Sequence, residues 1–229
     1  MTQFDLKEHY NRSWVDSINK IESGGIKPDY RIDEPEDDRY GLTLIVRPSL
    51  EIRKAVNQVF QQIRIKTPDQ YYYPVSDLHL TLLTIVSCQS GFDPEQIRMD
   101  EYVSILKPIL ENTDPFQIEF KGITASTEAI MVCGYPEEDS LNTLRNKIRK
   151  AFKGSDLFQT IDKRYTIQTA HMTAMRFSKP VDQLTKFVEQ LNSIKHMPFG
   201  SDTTQECHLV TNDWYQRADT RRTIETFRF

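Results

Sequence analysis

Twice in this 229-residue chain a histidine stands two residues ahead of a threonine inside an apolar, strand-like run: Leu78-His79-Leu80-Thr81-Leu82-Leu83 and Ala170-His171-Met172-Thr173-Ala174-Met175. Side chains alternate across a β-strand, so the His and Thr of each tripeptide point one way and the middle residue points the other. Leu80 and Met172 suit a core face. Each tripeptide then presents an imidazole beside a hydroxyl on a rigid support. One such tripeptide means little, since a lone histidine in an apolar run is more often a core or surface residue than a catalyst. Two of them, in a chain with five histidines, call for a look at what surrounds them.

The surroundings repeat. Tyr40 to Val46 (YGLTLIV) reads as a strand closed by Pro48, and Leu50 to Ile65 as a helix with Ser49 as its N-cap. Leu78 to Val86 is a strand apolar enough for burial on both faces, and a helix fits Pro94 to Leu110. The second half follows the same order. Phe116 to Thr124 and Ala129 to Gly134 read as strands, and Ser140 to Phe152 as a helix with Leu141, Leu144, Ile148 and Phe152 on its apolar stripe. Tyr165 to Phe177 contains a strand, Val181 to Ile194 is helical, and strand-like runs at Gln205 to Thr211 and Thr223 to Phe229 close the chain. His79 follows position 49, where the first helix begins, by 30 residues; His171 follows position 138 by 33. Two similar α+β lobes in one chain are a natural way to build a cleft.

Residues 1–38 stand outside this repeat. Phe4 to Ile21 reads as a helix with Trp14, Ile18 and Ile21 at helical spacing, ended by Gly24-Gly25. The segment IKPDYRIDEPEDDR reads as an acidic connector whose run from Asp33 to Asp38 is a solvated loop. The expected organisation is therefore a helical extension with linker over 1–38 and a two-lobed domain over 39–229.

Bulk properties narrow the class. A formal net charge of −4 argues against a globally basic nucleic-acid coat, though not against a local basic cleft. Cys88, Cys133 and Cys207 are scattered without metal or redox spacing and read as small packed hydrophobes in a reducing compartment. The start of the chain lacks a basic region followed by an apolar run, and no stretch approaches the ~20 apolar residues of a membrane span. The expectation is a cytoplasmic protein without membrane attachment. Phosphate-loop, dinucleotide-fingerprint, zinc-protease and nucleophile-elbow motifs are all missing from the sequence. No metal or cofactor is expected.

Paired histidines fit phosphodiester chemistry. Cleavage needs a proton taken from the attacking oxygen and another given to the leaving oxygen, and imidazole does both near neutral pH. Charge building on the phosphate oxygens needs fixed donors, which two threonine hydroxyls supply.

The two motifs resemble those of the two-histidine (2H) phosphoesterase superfamily, whose pattern H-x-[S/T] followed by apolar residues is met by LHLTLL and AHMTAM. That family includes the 2′-5′ RNA ligase-like proteins and cyclic nucleotide phosphodiesterases. The resemblance spans Tyr40 to Phe229 and extends to Trp214-Tyr215 before a terminal strand, while the first 38 residues have no counterpart. It implies an α+β fold of two pseudo-symmetric antiparallel lobes with helices outside and the H-x-T motifs in a central cleft. It further implies His79 and His171 as acid and base, with Thr81 and Thr173 on the phosphate. The implied activity is metal-independent hydrolysis of a 2′,3′-cyclic phosphate or a 2′-5′ linkage on RNA or a nucleotide, by a monomer with no obligate protein partner. A nucleotide- or RNA-binding module of the same fold, and 2′-5′ RNA joining, are the alternatives.

Further candidate substrate contacts are Tyr73 in the Tyr71-Tyr72-Tyr73 run, Arg176 after the second motif, Trp214 and Tyr215. Arg47, Arg217, Arg221 and Arg222 add cations without a positional argument. His9, His196 and His208 lack the motif and read as structural or exposed.

Overall fold

Two runs of strands meet side by side at the two histidine motifs. The computed structural model describes residues 3–229, with side chains from residue 6 onward, so the first two residues of the extension lie outside the described residues. In chain order the elements are α1 (Gln3–Glu22), β1 (Tyr40–Val46), α2 (Leu50–Arg64), β2 (Tyr71–Tyr72), β3 (Leu80–Gln89) and α3 (Met99–Leu110). Then come β4 (Phe116–Ala125), β5 (Ala129–Pro136), α4 (Ser140–Lys153), β6 (Ala170–Arg176), α5 (Leu184–Ile194), β7 (Pro198–Thr204), β8 (Glu206–Asp213) and β9 (Arg222–Arg228). The sheet has nine strands in the order β7-β4-β5-β6-β3-β1-β8-β9, with β2 paired to β6. Every pairing is antiparallel.

Read outward from the centre, the order is a mirror of itself. β3, β1, β8 and β9 make one lobe; β6, β5, β4 and β7 make the other. The closing strands β8 and β9 thus return to the first lobe, where β8 pairs with β1. The expected α+β fold of two pseudo-symmetric lobes is observed. Helix α2 begins at Ser49, whose hydroxyl accepts from the Ile52 N–H, and buries Ile52, Val56, Phe60 and Ile63. In α4 the stripe of Leu141, Leu144, Ile148 and Phe152 is buried, with Arg145 among them.

Four readings change. The helix expected over Pro94–Leu110 is a 3-10 turn, Pro94–Gln96, followed by α3. Ile97 between them is extended (φ −107°, ψ 155°), which turns Ile97 and Met99 onto the core. The helix expected from Val181 starts at Leu184. β3 is not buried on both faces: Thr81, Thr84 and Ser87 are half-exposed and face a pocket. β7 escaped the sequence reading because Pro198, Gly200 and Asp202 are poor strand residues; an edge position beside β4 tolerates them.

The extension is packed down. Trp14, Ile18 and Ile21 are buried in the main core, and α1 lies against β4, β5 and α5. The connector is tied to the second lobe by the Lys27 N–H on Thr127 O (2.8 Å) and the Asp29 N–H on Phe177 O (2.7 Å). Among the described residues no helix is long and apolar enough to cross a membrane.

Candidate active site

β3 and β6 share one registered pair, Leu80 opposite Met172. Antiparallel partners count in opposite directions, so His79 falls opposite Thr173, and Thr81 opposite His171. Opposed residues share a face. Two imidazoles and two hydroxyls therefore alternate around one patch, with each histidine beside the other motif's threonine. Leu80 and Met172 sit on the reverse face with no exposed surface. Burying such side chains is worth about 1.5–3 kcal/mol each, so the quartet stands on a rigid base. It forms the floor of a pocket of about 380 Å³ that also takes in Tyr73, Arg176 and Trp214.

Each strand is bulged just past its threonine. On β3 the register steps from Thr81↔Ile45 to Leu83↔Leu44, leaving Leu82 extra. On β6 it steps from Thr173↔Met131 to Met175↔Ile130, leaving Ala174 extra. One extra residue changes the parity of alternation. Thr84 and Arg176, three positions beyond each threonine, thus return to the pocket side. The bulges are equivalent, but the residues they deliver are a neutral hydroxyl in one lobe and a guanidinium in the other.

The histidines are oriented differently. His79 Nδ1 lies 2.6 Å from the Asp77 carbonyl; a carbonyl only accepts, so this nitrogen carries the proton and Nε2 faces the pocket. His171 Nδ1 lies 2.8 Å from Thr169 Oγ1, a group that can donate or accept. Burial holds both imidazoles down to about 4; for His79 the carbonyl opposes this and Arg221, Arg176 and Arg47 add to it. For His171 the added positive charge comes from Arg145 and then Arg176. The site is a cationic hollow holding two neutral imidazoles.

Arg145 is the functional residue that sequence reasoning missed. It is wholly buried, and its guanidinium donates to Leu82 O (2.7 Å), Thr81 O (3.0 Å), Thr169 O (2.9 Å) and Asn142 Oδ1 (3.1 Å). Beyond Leu80 and Met172 the two central strands diverge, and Arg145 fills the wedge, satisfying carbonyls that a continued ladder would have used. It joins the two motifs from beneath. Burial without a carboxylate partner lowers it to about 9. One signal was available: position 145 falls within the apolar stripe of α4, where an arginine needs a reason.

The other predicted contacts divide. Arg176 Nε donates to Tyr73 Oη (2.9 Å), so buried Tyr73 steers the cation in the pocket. Trp214 lies at the rim, with the guanidiniums of Arg164, Arg39 and Arg176 at 4.5, 4.9 and 5.7 Å from its ring centre. Arg39 is clamped there by Asp37 (2.7 and 2.6 Å); the connector therefore helps to set the rim. Tyr215 is not at the pocket. It is fully buried behind the rim, where its hydroxyl accepts from Arg39 (3.0 Å) and donates to Asp29 Oδ2 (3.0 Å). In the first half of α1, the Tyr10 hydroxyl accepts from the Ala170 N–H (2.9 Å) and donates to Gly134 O (3.3 Å). Gly134 has no room for a side chain, since a Cβ there would lie 2.1 Å from Ala170 O.

Cys88 borders the pocket, but burial pushes its thiol up to about 12, and Cys133 likewise. Neither thiol is a ready nucleophile. His9 and His196 are exposed, and half-buried His208 sits by Thr226 and Glu206. Among the described residues no three His, Cys, Asp or Glu side chains are grouped to hold a metal ion.

A curled antiparallel sheet in two mirrored lobes, with a doubled His/Thr centre at their junction, defines a class of phosphoester-processing proteins. A model of the 2′-5′ RNA ligase superfamily matches residues 49–207, and the chain belongs to that family. Similar solved structures include the Thermus thermophilus protein TT0787, with a TM-score of 0.61 and 16% identity over 82% of this chain and 97% of that one. Escherichia coli LigT complexed with 3′-AMP gives 0.55 and 14% identity over 83% and 98%. A protein from Agrobacterium tumefaciens, ATU0111, gives 0.54 and 11% over 87% and 95%. These likenesses are of fold. No curated protein matches the chain significantly by sequence.

Proposed function

We propose that this protein is a metal-independent phosphodiesterase that opens a 2′,3′-cyclic phosphate, or cleaves a 2′-5′ linkage, on RNA or a nucleotide. The observation that carries the reading is the central register, which sets two imidazoles and two threonine hydroxyls around one patch beside Arg176. In ring opening, water attacks phosphorus as one imidazole takes its proton. The other imidazole gives a proton to the departing ribose oxygen, leaving a phosphomonoester; proton exchange with solvent then restores both rings. The Thr81 and Thr173 hydroxyls and Arg176 face the charge that grows on the non-bridging oxygens.

The two rings differ in their partners, a carbonyl at His79 Nδ1 and a threonine hydroxyl at His171 Nδ1, but both lie at about 4. Acid and base roles exchange between ring opening and the reverse, joining direction. Trp214 offers a face for a base. A nucleotide-sized substrate agrees with E. coli LigT having been solved with 3′-AMP, ATP and NADP+.

Hydrolysis of 2′,3′-cyclic mononucleotides in excess chelator tests the proposal. Wild type should turn over, while His79→Ala and His171→Ala each lose on the order of 10²–10⁴ in rate with unchanged melting. Full activity in either variant, or activity abolished by the chelator, would sink it.

A further inference from the structure

We propose that Arg47, Arg53 and Arg221 form a second phosphate-binding subsite beside the pocket, on the His79 side, for a substrate phosphate other than the one cleaved. Arg47 follows the last residue of β1, Arg53 lies in the first turn of α2, and Arg221 immediately precedes β9. These three distant segments bring their guanidiniums to two consecutive carbonyls. Arg47 and Arg221 both donate to Ser76 O, at 2.8 and 3.2 Å, and Arg53 donates to Val75 O at 2.8 Å. Their remaining bonds also go to carbonyls, Arg53 Nε to Pro48 O and Arg221 to Gln216 O.

Three cations this close repel one another; Asp77 and Asp213 oppose this at Arg221, though neither is ion-paired to it. Among the described residues none of the three is ion-paired to a carboxylate. The nearby acids Asp77 and Asp213 hydrogen-bond to donors other than these three arginines. Asp77 accepts from Ser76 Oγ and the Ala218 N–H, and Asp213 from the Tyr215 and Arg217 N–H groups and the Arg217 guanidinium. Arg47 Nε is buried with no acceptor. Burial comes first in pushing Arg53 and Arg221 below their ordinary range; Arg47 and Arg221 add to it at Arg53, and Arg47 adds to it at Arg221, where Asp77 and Asp213 oppose it. A like-charge cluster that no carboxylate pairs directly among the described residues, with a donor to spare, is matched by an anion, and phosphate is the anion that planar guanidiniums bind in pairs.

Position says which phosphate. Ser76 is three residues from His79, at most roughly 10 Å of extended chain, and Asp77 O between them holds the His79 ring. Arg221 and Arg47 also act electrostatically on His79. A substrate whose scissile phosphate lies between the histidines can thus place a neighbouring phosphate on the cluster. That group is either a 5′-phosphate of the same nucleotide or the next internucleotide phosphate of an RNA end. This inference rests on the proposed phosphodiesterase activity and narrows its substrate to one with a second phosphate.

The test compares 2′,3′-cyclic AMP, its 5′-phosphorylated form and a trinucleotide ending in a 2′,3′-cyclic phosphate, with the full chain and with Arg47→Gln/Arg221→Gln. Glutamine keeps a donor for Ser76 O, and Arg53 stays to hold the α2 turn. The wild type should favour a second-phosphate substrate about tenfold in kcat/KM over 2′,3′-cyclic AMP, and the variant should lose most of that ratio. A preference for the 5′-phosphorylated nucleotide identifies a terminal phosphate; one for the trinucleotide alone identifies an internucleotide phosphate. Equal ratios in both proteins overturn the subsite while leaving the phosphodiesterase reading intact. Should no substrate turn over, that reading fails, and anisotropy of a fluorescein-labelled trinucleotide decides the subsite alone. The variant should then bind more weakly, with its log K against log salt slope reduced by about 0.7 for the lost phosphate contact; unchanged affinity and slope overturn it.

Discussion

The two lobes present the same three-residue device and differ in nearly everything attached to it. In the first, a backbone carbonyl orients His79, the bulge delivers Thr84, and the nearby arginines lie outside the pocket. In the second, a threonine hydroxyl orients His171, the bulge delivers Arg176, and Arg145 lies beneath the motifs. In the proposed mechanism, duplication supplies the matched pair that proton transfer needs, and only the departures from duplication could give the two imidazoles different roles. Charge is the main asymmetry, and it is placed by side chains that the repeated pattern does not specify.

The largest break should come at Arg145, which both lobes share. Arg145→Met leaves the carbonyls of Thr81, Leu82 and Thr169 without their donor, at about 1–3 kcal/mol for each buried unsatisfied group. Denaturant melts should show a loss of several kcal/mol, with Arg145→Lys intermediate; a melt like the wild type's would refute the stapling role. Next is the pair of bulge residues. Arg176→Gln should cost on the order of 10²–10³ in kcat if the guanidinium meets developing charge, while Thr84→Val should cost tenfold or less. Equal losses would mean that the asymmetry at the bulges is not functional.

Trp214→Leu should raise KM more than it lowers kcat, by the roughly 1–3 kcal/mol of a lost stacking contact. A pure kcat defect would argue against a base at the rim. The smallest effect is on pH dependence. With both imidazoles at about 4 in the free protein, kcat/KM should peak on the acid side of histidine's usual range. A bound phosphate anion favours imidazolium, so the kcat profile should lie at higher pH. Coincident profiles would contradict this. The same values predict a stability trend. Between about 6.5 and 4 the unfolded chain binds protons that the folded one refuses, so stability falls as pH drops through that window. Inorganic phosphate should lessen the fall.

How much of this was legible follows residue type. Strands and helices with clear periodicity were read to within a few residues, because α2 and α4 bury one stripe and β1 is dense in strand formers. β7 was not, since its place depends on β4 offering an edge. At the site, a period of two sets His79 with Thr81, and His171 with Thr173, on one face of each strand. Trp214 and Tyr215 both read as contacts, but only Trp214 lines the pocket; the two lie in the turn after β8, where strand alternation no longer fixes the direction of a side chain.

The sequence by itself determined the repeated His/Thr device and the face on which each copy stands, since strand alternation is a local property of the backbone. Only the tertiary structure decided that β3 and β6 are neighbours in the register that interleaves the two copies. It alone decided that bulges recruit Thr84 and Arg176, and that Arg145 closes the wedge beneath them. Those outcomes depend on contacts between segments far apart in the chain, where strand pairing and burial of charge are settled by the whole sheet.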